Sequence, residues 1–96
     1  MIALMSSDDA ELKRLRVQID GTDAELLDVL KKRMKIVDQV GAYKKEHTLE
    51  PRDEKRRGEV LSDRVARGKS RGLSGEMVRE IFETILKHSE EREGNN

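Results

Sequence analysis

A single proline, Pro51, divides the chain, and a long apolar stripe with helical spacing precedes it. Its members recur at steps of three, four and seven residues, the period of an α-helix: Leu12, Leu15, Ile19, Leu26, Leu30, Met34, Val37 and Gly41. We therefore expect one amphipathic helix from about residue 8 to about residue 46, starting at the cap-like segment DDAE of residues 8–11. With a rise of about 1.5 Å per residue, that helix is roughly 55–60 Å long.

Two shorter helices are expected after the proline. Asp53 is placed to cap the second helix and Ser74 the third, because Asp and Ser side chains accept bonds from N-terminal amides. Gly68 is expected to end the second helix. The apolar positions are Val60, Leu61 and Val65 in the second helix, and Met77, Val78, Ile81, Phe82, Ile85 and Leu86 in the third. No strand pattern is visible, so the fold class is all-α, with one long helix and two short ones.

The length of 96 residues suits a single helical domain over residues 1–96. We expect residues 1–7 and 94–96 to be disordered, and we expect the C-terminal segment EREGNN to fray. Two helices of roughly 16–18 residues are too short to cover an amphipathic helix of about 40 residues. The uncovered stripe predicts a dimer in which the long helices pair.

The charge balance argues against several classes of protein. Lys plus Arg and Asp plus Glu each number 20, which argues against a general nucleic-acid binder. The basic cluster of Arg64, Arg67, Lys69 and Arg71 is expected at a helix end, where cations complement the dipole. There is no cysteine, neither histidine has metal-ligand spacing, and the opening MIALM is too short for a signal or a membrane span. We expect a cytoplasmic protein without a metal.

Three cations lie on the apolar stripe of the long helix. On a helical wheel, Arg16, Arg33 and Lys44 fall within about 60° of Leu12, as does Asp23. Any one of these cations can simply cover neighbouring leucines with its aliphatic stem. Three are harder to explain, because buried charge without a partner is costly and Asp23 can neutralise only one. The stripe therefore predicts an anionic ligand.

The spacing of these cations suggests a site shared between two subunits. Arg33 and Lys44 lie roughly 16 Å apart along the helix, so both can converge on one small ligand, whereas Arg16 lies roughly 25 Å from Arg33. In an antiparallel helix pair, Arg16 of the partner subunit can join them. Arg56 precedes Val60 by one turn, and the stripe of the third helix continues to Ser89 and Glu93. For Glu93 alone, a solvated tail position is the simpler interpretation.

Three segments of the chain resemble the all-helical chorismate mutases. They are LKRLRVQIDGTDAELLDVLKKRMKIVDQVGAYKKE, then PRDEKRRGEVL, then IFETILKHS, and the resemblance covers about residues 12–93. It implies an intertwined, domain-swapped helical-bundle homodimer with two shared sites. It also implies the rearrangement of chorismate to prephenate in the shikimate pathway, toward phenylalanine and tyrosine.

The resemblance assigns a role to each candidate residue. Arg16 is similar to the arginine that one subunit contributes to a substrate carboxylate in its partner's site, and Arg33 to the arginine that binds the other carboxylate. Lys44 resembles the lysine at the ether oxygen and a carboxylate. Three more matches concern substrate binding: Asp53 and Arg56 fall on the second-helix motif, and Ser89 on a position that contacts a carboxylate.

The chain departs from the family pattern at two positions. Arg57 stands where the family often has a glutamate that touches the substrate hydroxyl, and Glu93 stands where the family usually has glutamine at the ether oxygen. We expect both changes to affect efficiency more than the type of reaction. Glu93 is counted with Arg16, Arg33 and Lys44 as a candidate catalytic residue.

The reaction is a unimolecular [3,3] shift, so no cofactor is expected. Two other functions remain open. One is an isochorismate–pyruvate lyase, whose scaffold is similar. Assays with both substrates are needed to distinguish it from a mutase. A non-catalytic helical dimerisation module explains the apolar stripe but leaves its three cations unexplained.

Overall fold

A computed structural model describes the backbone of residues 2–95 and the side chains of residues 9–95. Within this range every regular element is an α-helix, with α1 at Ile2–Glu46, α2 at Glu54–Ser70 and α3 at Gly75–Gly94. The all-α prediction with one long and two shorter helices is confirmed. Contacts divide the chain into two compact units, residues 1–33 and 34–96. The pairing of two subunits stays a prediction.

The ends of α1 and α3 differ from the expected bounds. α1 begins at Ile2, so Asp8 lies inside the helix and the predicted start at residues 8–11 is wrong. α3 continues through Gly94, and Asn95 forms its C-cap with the amide bonded to Glu91 and Arg92 carbonyls. The structure thus assigns helix to residues 2–7 and to Gly94, where the sequence suggested disorder. Met1 and Asn96 lie outside the described residues.

Both predicted N-caps are confirmed. Asp53 Oδ1 accepts a hydrogen bond from the Arg56 amide at 3.0 Å, and Ser74 Oγ accepts one from the Met77 amide at 3.2 Å. Each cap residue has an extended backbone, as helix N-caps usually do. These two bonds fix where α2 and α3 begin.

The prediction that Gly68 ends α2 is wrong. α2 continues to Ser70 with Arg71 as its C-cap, and the left-handed turn falls at Gly72, where φ is 80°. Gly68 is buried inside the helix, and a Cβ built on it would lie 2.5 Å from Val78 Cγ2. Glycine is therefore needed at position 68 because α2 and α3 approach closely there, not because the helix stops.

The core of residues 34–96 lies between α2 and α3. Val60, Leu61 and Leu86 form a buried cluster, with Phe82 packed against it. Val37 of α1 is also buried. This small core matches the apolar positions read from the sequence, and it leaves the polar face of each helix in solvent.

The unit of residues 1–33 leaves its apolar stripe in solvent. Exposed fractions of 41–57% are found at Leu12, Leu15, Ile19 and Leu26. Such a row of large apolar side chains is rarely left uncovered in a stable protein. Among the described residues, no helix combines the length and apolar character needed to cross a membrane.

Candidate functional site

Lys44 and Glu93 meet where the end of α1 lies beside the end of α3. Lys44 Nζ lies 2.7 Å from Glu93 Oε1, and these side chains are only 21% and 11% exposed. Lys44 Nζ also donates a hydrogen bond to the Pro51 carbonyl at 2.8 Å. An ammonium has three N–H donors, and the hydrogen bond to the Pro51 carbonyl uses one of them.

The Glu93 carboxylate is bound to Lys44 by charge rather than by a directed hydrogen bond. Its Oε1 atom is buried, and the geometry of its contact with Lys44 falls short of a directed hydrogen bond. We describe the contact as an ion pair, because the two charged atoms are 2.7 Å apart. The fraying expected at Glu93 is therefore not observed, and this side chain faces the interior.

A second ion pair joins α1 to α3 one residue before Glu93. Arg92 donates from Nε to Asp38 Oδ1 at 2.7 Å and from Nη2 to Asp38 Oδ2 at 2.9 Å. Hydrogen bonding from Arg92 holds the pKa of the Asp38 carboxyl below its ordinary value. In return, Asp38 raises the pKa of Arg92.

A third ion pair joins α2 to α3. Arg57 Nη1 lies 3.0 Å from Glu90 Oε1, and both side chains are largely buried. Arg57 occupies the position where the resemblance led us to expect a glutamate. Its carboxylate partner, Glu90, comes from α3 instead. The pair also lines an open cleft together with Arg52, Glu80, Glu83, Thr84, Lys87 and Glu91.

The other predicted residues after Pro51 are Ser89, Asp53 and Arg56. Ser89 is buried, at 3% exposure, and its hydroxyl donates to the Ile85 carbonyl at 2.7 Å. Asp53 caps α2, and the Arg56 side chain is exposed. Burial of Ser89 agrees with its predicted inward face, while the ligand roles of all three residues stay predictions.

Arg16 and Arg33 belong to the other unit of the chain. Arg16 is exposed, as is Asp23, whereas Arg33 is half-buried. The two arginines lie on one continuous helix, which separates them by roughly 25 Å along its axis. Within one chain the two arginines are therefore kept apart, as the spacing predicted.

Sequence reasoning missed four contributors to this site. Pro51 acts through its carbonyl, which no side-chain pattern reveals. Asp38, Arg92 and Glu90 are charged residues on helix surfaces. The only sequence feature that hinted at their pairing is that each has a charge opposite to that of its partner. Their pairing depends on how the helices pack, which residue spacing within one helix does not determine.

The fold and these ion pairs define a small helical protein with paired charges where the helices α1, α2 and α3 pack together. The sequence model of the family described as chorismate mutase type II matches residues 15–94. The chain belongs to that family, which confirms the resemblance.

Three relatives illustrate the range of similar proteins. A T-protein of Enterobacter agglomerans is 31% identical over 80 residues, which cover 83% of this chain and 21% of that protein. A T-protein of Haemophilus influenzae is 31% identical over 78 residues, with 81% and 21% covered. A protein of Streptomyces venezuelae named 4-amino-4-deoxychorismate mutase is 30% identical over 77 residues, with 79% and 74% covered.

The relatives differ in the share of their own length that aligns with the chain. It spans about a fifth of the T-proteins, but about three quarters of the Streptomyces venezuelae protein. No solved structure matches the chain.

Proposed function

We propose that the protein is a chorismate mutase, which rearranges chorismate to prephenate in the cytoplasm as a step toward phenylalanine and tyrosine. The observation that carries the proposal is the half-buried Lys44, held by two oxygen partners within a chain that matches the family over residues 15–94. A cation held in this way suits a substrate with two carboxylates.

The reaction needs positioning and electrostatic stabilisation rather than covalent chemistry. The ether C–O bond breaks while a new C–C bond forms within the same molecule, so no group, proton or electron is exchanged with the protein. Arg16 and Arg33 hold the two carboxylates, because guanidinium groups match carboxylates with paired hydrogen bonds. This grip keeps the dianion folded with its reacting carbons close together.

Lys44 stabilises the charge that grows on the ether oxygen. The bond to that oxygen breaks ahead of C–C formation, so negative charge accumulates on it in the transition state. We assign a further N–H donor of Lys44 to this oxygen, and a donor fixed before the reaction loses little energy to reorganisation. Ser89, Asp53 and Arg56 complete the binding of the polar substituents.

The site is proposed to be shared between two subunits of an intertwined homodimer. Support comes from the exposed stripe of Leu12, Leu15, Ile19 and Leu26, whose burial would stabilise a dimer. Arg16 of the partner subunit would then complete a site that contains Arg33 and Lys44.

A second candidate substrate is 4-amino-4-deoxychorismate, which the name of the Streptomyces venezuelae relative specifies. It differs from chorismate in one ring substituent, an amino group in place of the hydroxyl. Arg57 stands where the family often has a glutamate at that hydroxyl, and its ion pair with Glu90 brings a cation and a carboxylate to the same place. We place chorismate first because the matching family model is described as chorismate mutase type II.

An assay with purified protein tests the proposal. Loss of chorismate absorbance is followed for the wild type, for Arg33→Ala and for Lys32→Ala, which changes an exposed neighbour of Arg33. The wild type and Lys32→Ala should form prephenate, and Arg33→Ala should not. Parallel assays with 4-amino-4-deoxychorismate and isochorismate identify the alternatives, since pyruvate release from isochorismate would indicate a lyase. Inactivity toward all three substrates would favour the dimerisation module.

A further inference from the structure

The last turn of α3 contacts the rest of the residue 34–96 unit through consecutive residues. Arg92 forms two hydrogen bonds with Asp38, and Glu93 forms an ion pair with Lys44. Gly94 lies beside Pro51, since a Cβ built on it would be 3.7 Å from Pro51 Cγ. Helix ends usually fray because their last carbonyls lack partners within the helix. Here the end is fixed from several sides.

We propose that the Asp38–Arg92 pair is a positioning device for Lys44, which acts by holding Glu93 in place. Neither residue of this pair is among those that bind or react in the proposed mechanism. The kinetic consequence rests on the proposed mutase function, but the structural consequence does not. Loss of the pair should release Glu93 and so leave Lys44 held by the Pro51 carbonyl alone.

The geometry explains why a pair beside Glu93 controls where Glu93 points. Consecutive residues on an α-helix project about 100° apart. A contact at Glu93 alone would leave the last turn of α3 able to fray or shift around that contact. A second contact from Arg92, in a different direction, opposes this movement and keeps the Glu93 carboxylate on Lys44.

The form of the pair suits a positioning role. Exposed ion pairs usually contribute little to stability, with two-point pairs between arginine and carboxylate among the exceptions. Arg92 makes both of its hydrogen bonds at 2.7–2.9 Å, so the guanidinium plane is fixed relative to Asp38. Such a pair restricts direction even when its effect on the free energy of unfolding is small.

The kinetic test compares Arg92→Gln and Asp38→Asn with the wild type. Each should lower kcat about tenfold with little change in KM, because small displacements of a catalytic group are costly. Glu83→Gln is the control, since it removes an exposed pair between Arg79 and Glu83 within α3. It should leave kcat unchanged, and circular dichroism should show equal helicity in all variants.

A double-mutant cycle separates positioning from general destabilisation. Arg92→Gln should have little further effect on kcat in a Glu93→Ala background, because the residue that it positions is absent. An equal loss of kcat in both backgrounds would show that Arg92 acts independently of Glu93 and would overturn the proposal.

A measurement that needs no activity completes the test. Proton exchange of the Lys44 ammonium group is followed by NMR in the wild type, Arg92→Gln, Asp38→Asn and Glu93→Ala. Exchange should accelerate several-fold in all three variants, and unchanged exchange in Arg92→Gln would refute the positioning role. If the wild type rearranges no chorismate, the proposed function fails while this result still decides the role of the pair.

Discussion

Lys44, near the end of the first helix, and Glu93, near the end of the third, form an ion pair with a separation of 2.7 Å. The pair places a carboxylate beside the cation that we assign to the ether oxygen. In the proposed mechanism Glu93 has two opposing effects. It orients the ammonium, and it also partly neutralises the charge that the transition state needs.

Lys44 should be essential for the chemical step. Lys44→Ala should lower kcat by about 100-fold or more, because a fixed donor to the developing charge is lost. Lys44→Arg should recover little activity, since a planar guanidinium places its charge and donors differently. Steady-state kinetics on chorismate measure this, with Lys45→Ala as the control at an exposed neighbour. Wild-type kcat in Lys44→Ala would remove Lys44 from the chemistry.

Shared sites predict that two inactive variants restore activity in a mixture. Arg16→Ala and Arg33→Ala should each be inactive alone. After subunit exchange, a mixed dimer regains one intact site, because one subunit can supply Arg16 and the other Arg33. Arg14→Ala, which changes an exposed residue paired with Glu11, is the control for the first variant. If a mixture shown to contain mixed dimers stays inactive, the two arginines do not act across subunits.

The two glycines of α2 should respond oppositely to alanine. Gly68→Ala should lower the free energy of unfolding by about 1–3 kcal/mol, because its Cβ would collide with Val78. Gly58→Ala should raise it by about 0.4–1 kcal/mol, since a Cβ built on Gly58 has nothing within 4 Å beyond its chain neighbours and its own helix backbone, and alanine restricts the unfolded chain. Urea unfolding at one protein concentration measures both changes. Equal effects would show that α2 and α3 do not approach closely at Gly68.

The Asp38–Arg92 pair should make stability depend on pH in the acid range. Because the pKa of Asp38 is lower in the folded chain, its contribution is present above the unfolded-state value and is lost as pH falls through the folded value. The urea midpoints of wild type and Asp38→Asn should differ at neutral pH and converge below about pH 4. A difference that stays constant down to strongly acidic pH would show that Asp38 ionisation does not stabilise the fold.

The helices were largely predictable because their signals are local. Spacing of apolar residues indicated each helix, and Asp53 and Ser74 marked two starts because a cap bonds to its own helix. Gly68 was misread because a glycine that ends a helix and one that packs against another helix look alike in sequence. Val78 decides between them, and it lies on a different helix.

The site was predictable only in part, for a similar reason. The wheel of the third helix did place Glu93 on the inward stripe, but its position near the chain end favoured a solvated tail. Only the packing of α3 beside α1 brings Glu93 to Lys44 and Arg92 to Asp38. A helical wheel gives the direction of a side chain and leaves its partner on another helix undetermined.

Substitutions at Glu93 separate its charge from its orienting role. Glu93→Gln keeps an oxygen that can accept from Lys44, adds N–H donors and removes the negative charge. Its kcat/KM at neutral pH should therefore exceed that of the wild type. Glu93→Ala also removes the charge but leaves Lys44 with the Pro51 carbonyl alone, so its kcat should fall. Glu91→Gln is the matched control, since Glu91 is an exposed neighbour on the same turn.

The two Glu93 variants together distinguish three outcomes in steady-state assays on chorismate. A gain in Glu93→Gln with a loss in Glu93→Ala supports both effects of the carboxylate, repulsion of the growing charge and orientation of the ammonium. Gains in both would mean that Glu93 only opposes the reaction. Wild-type kinetics in both would contradict any role for Glu93 and leave catalysis to Arg16, Arg33 and Lys44.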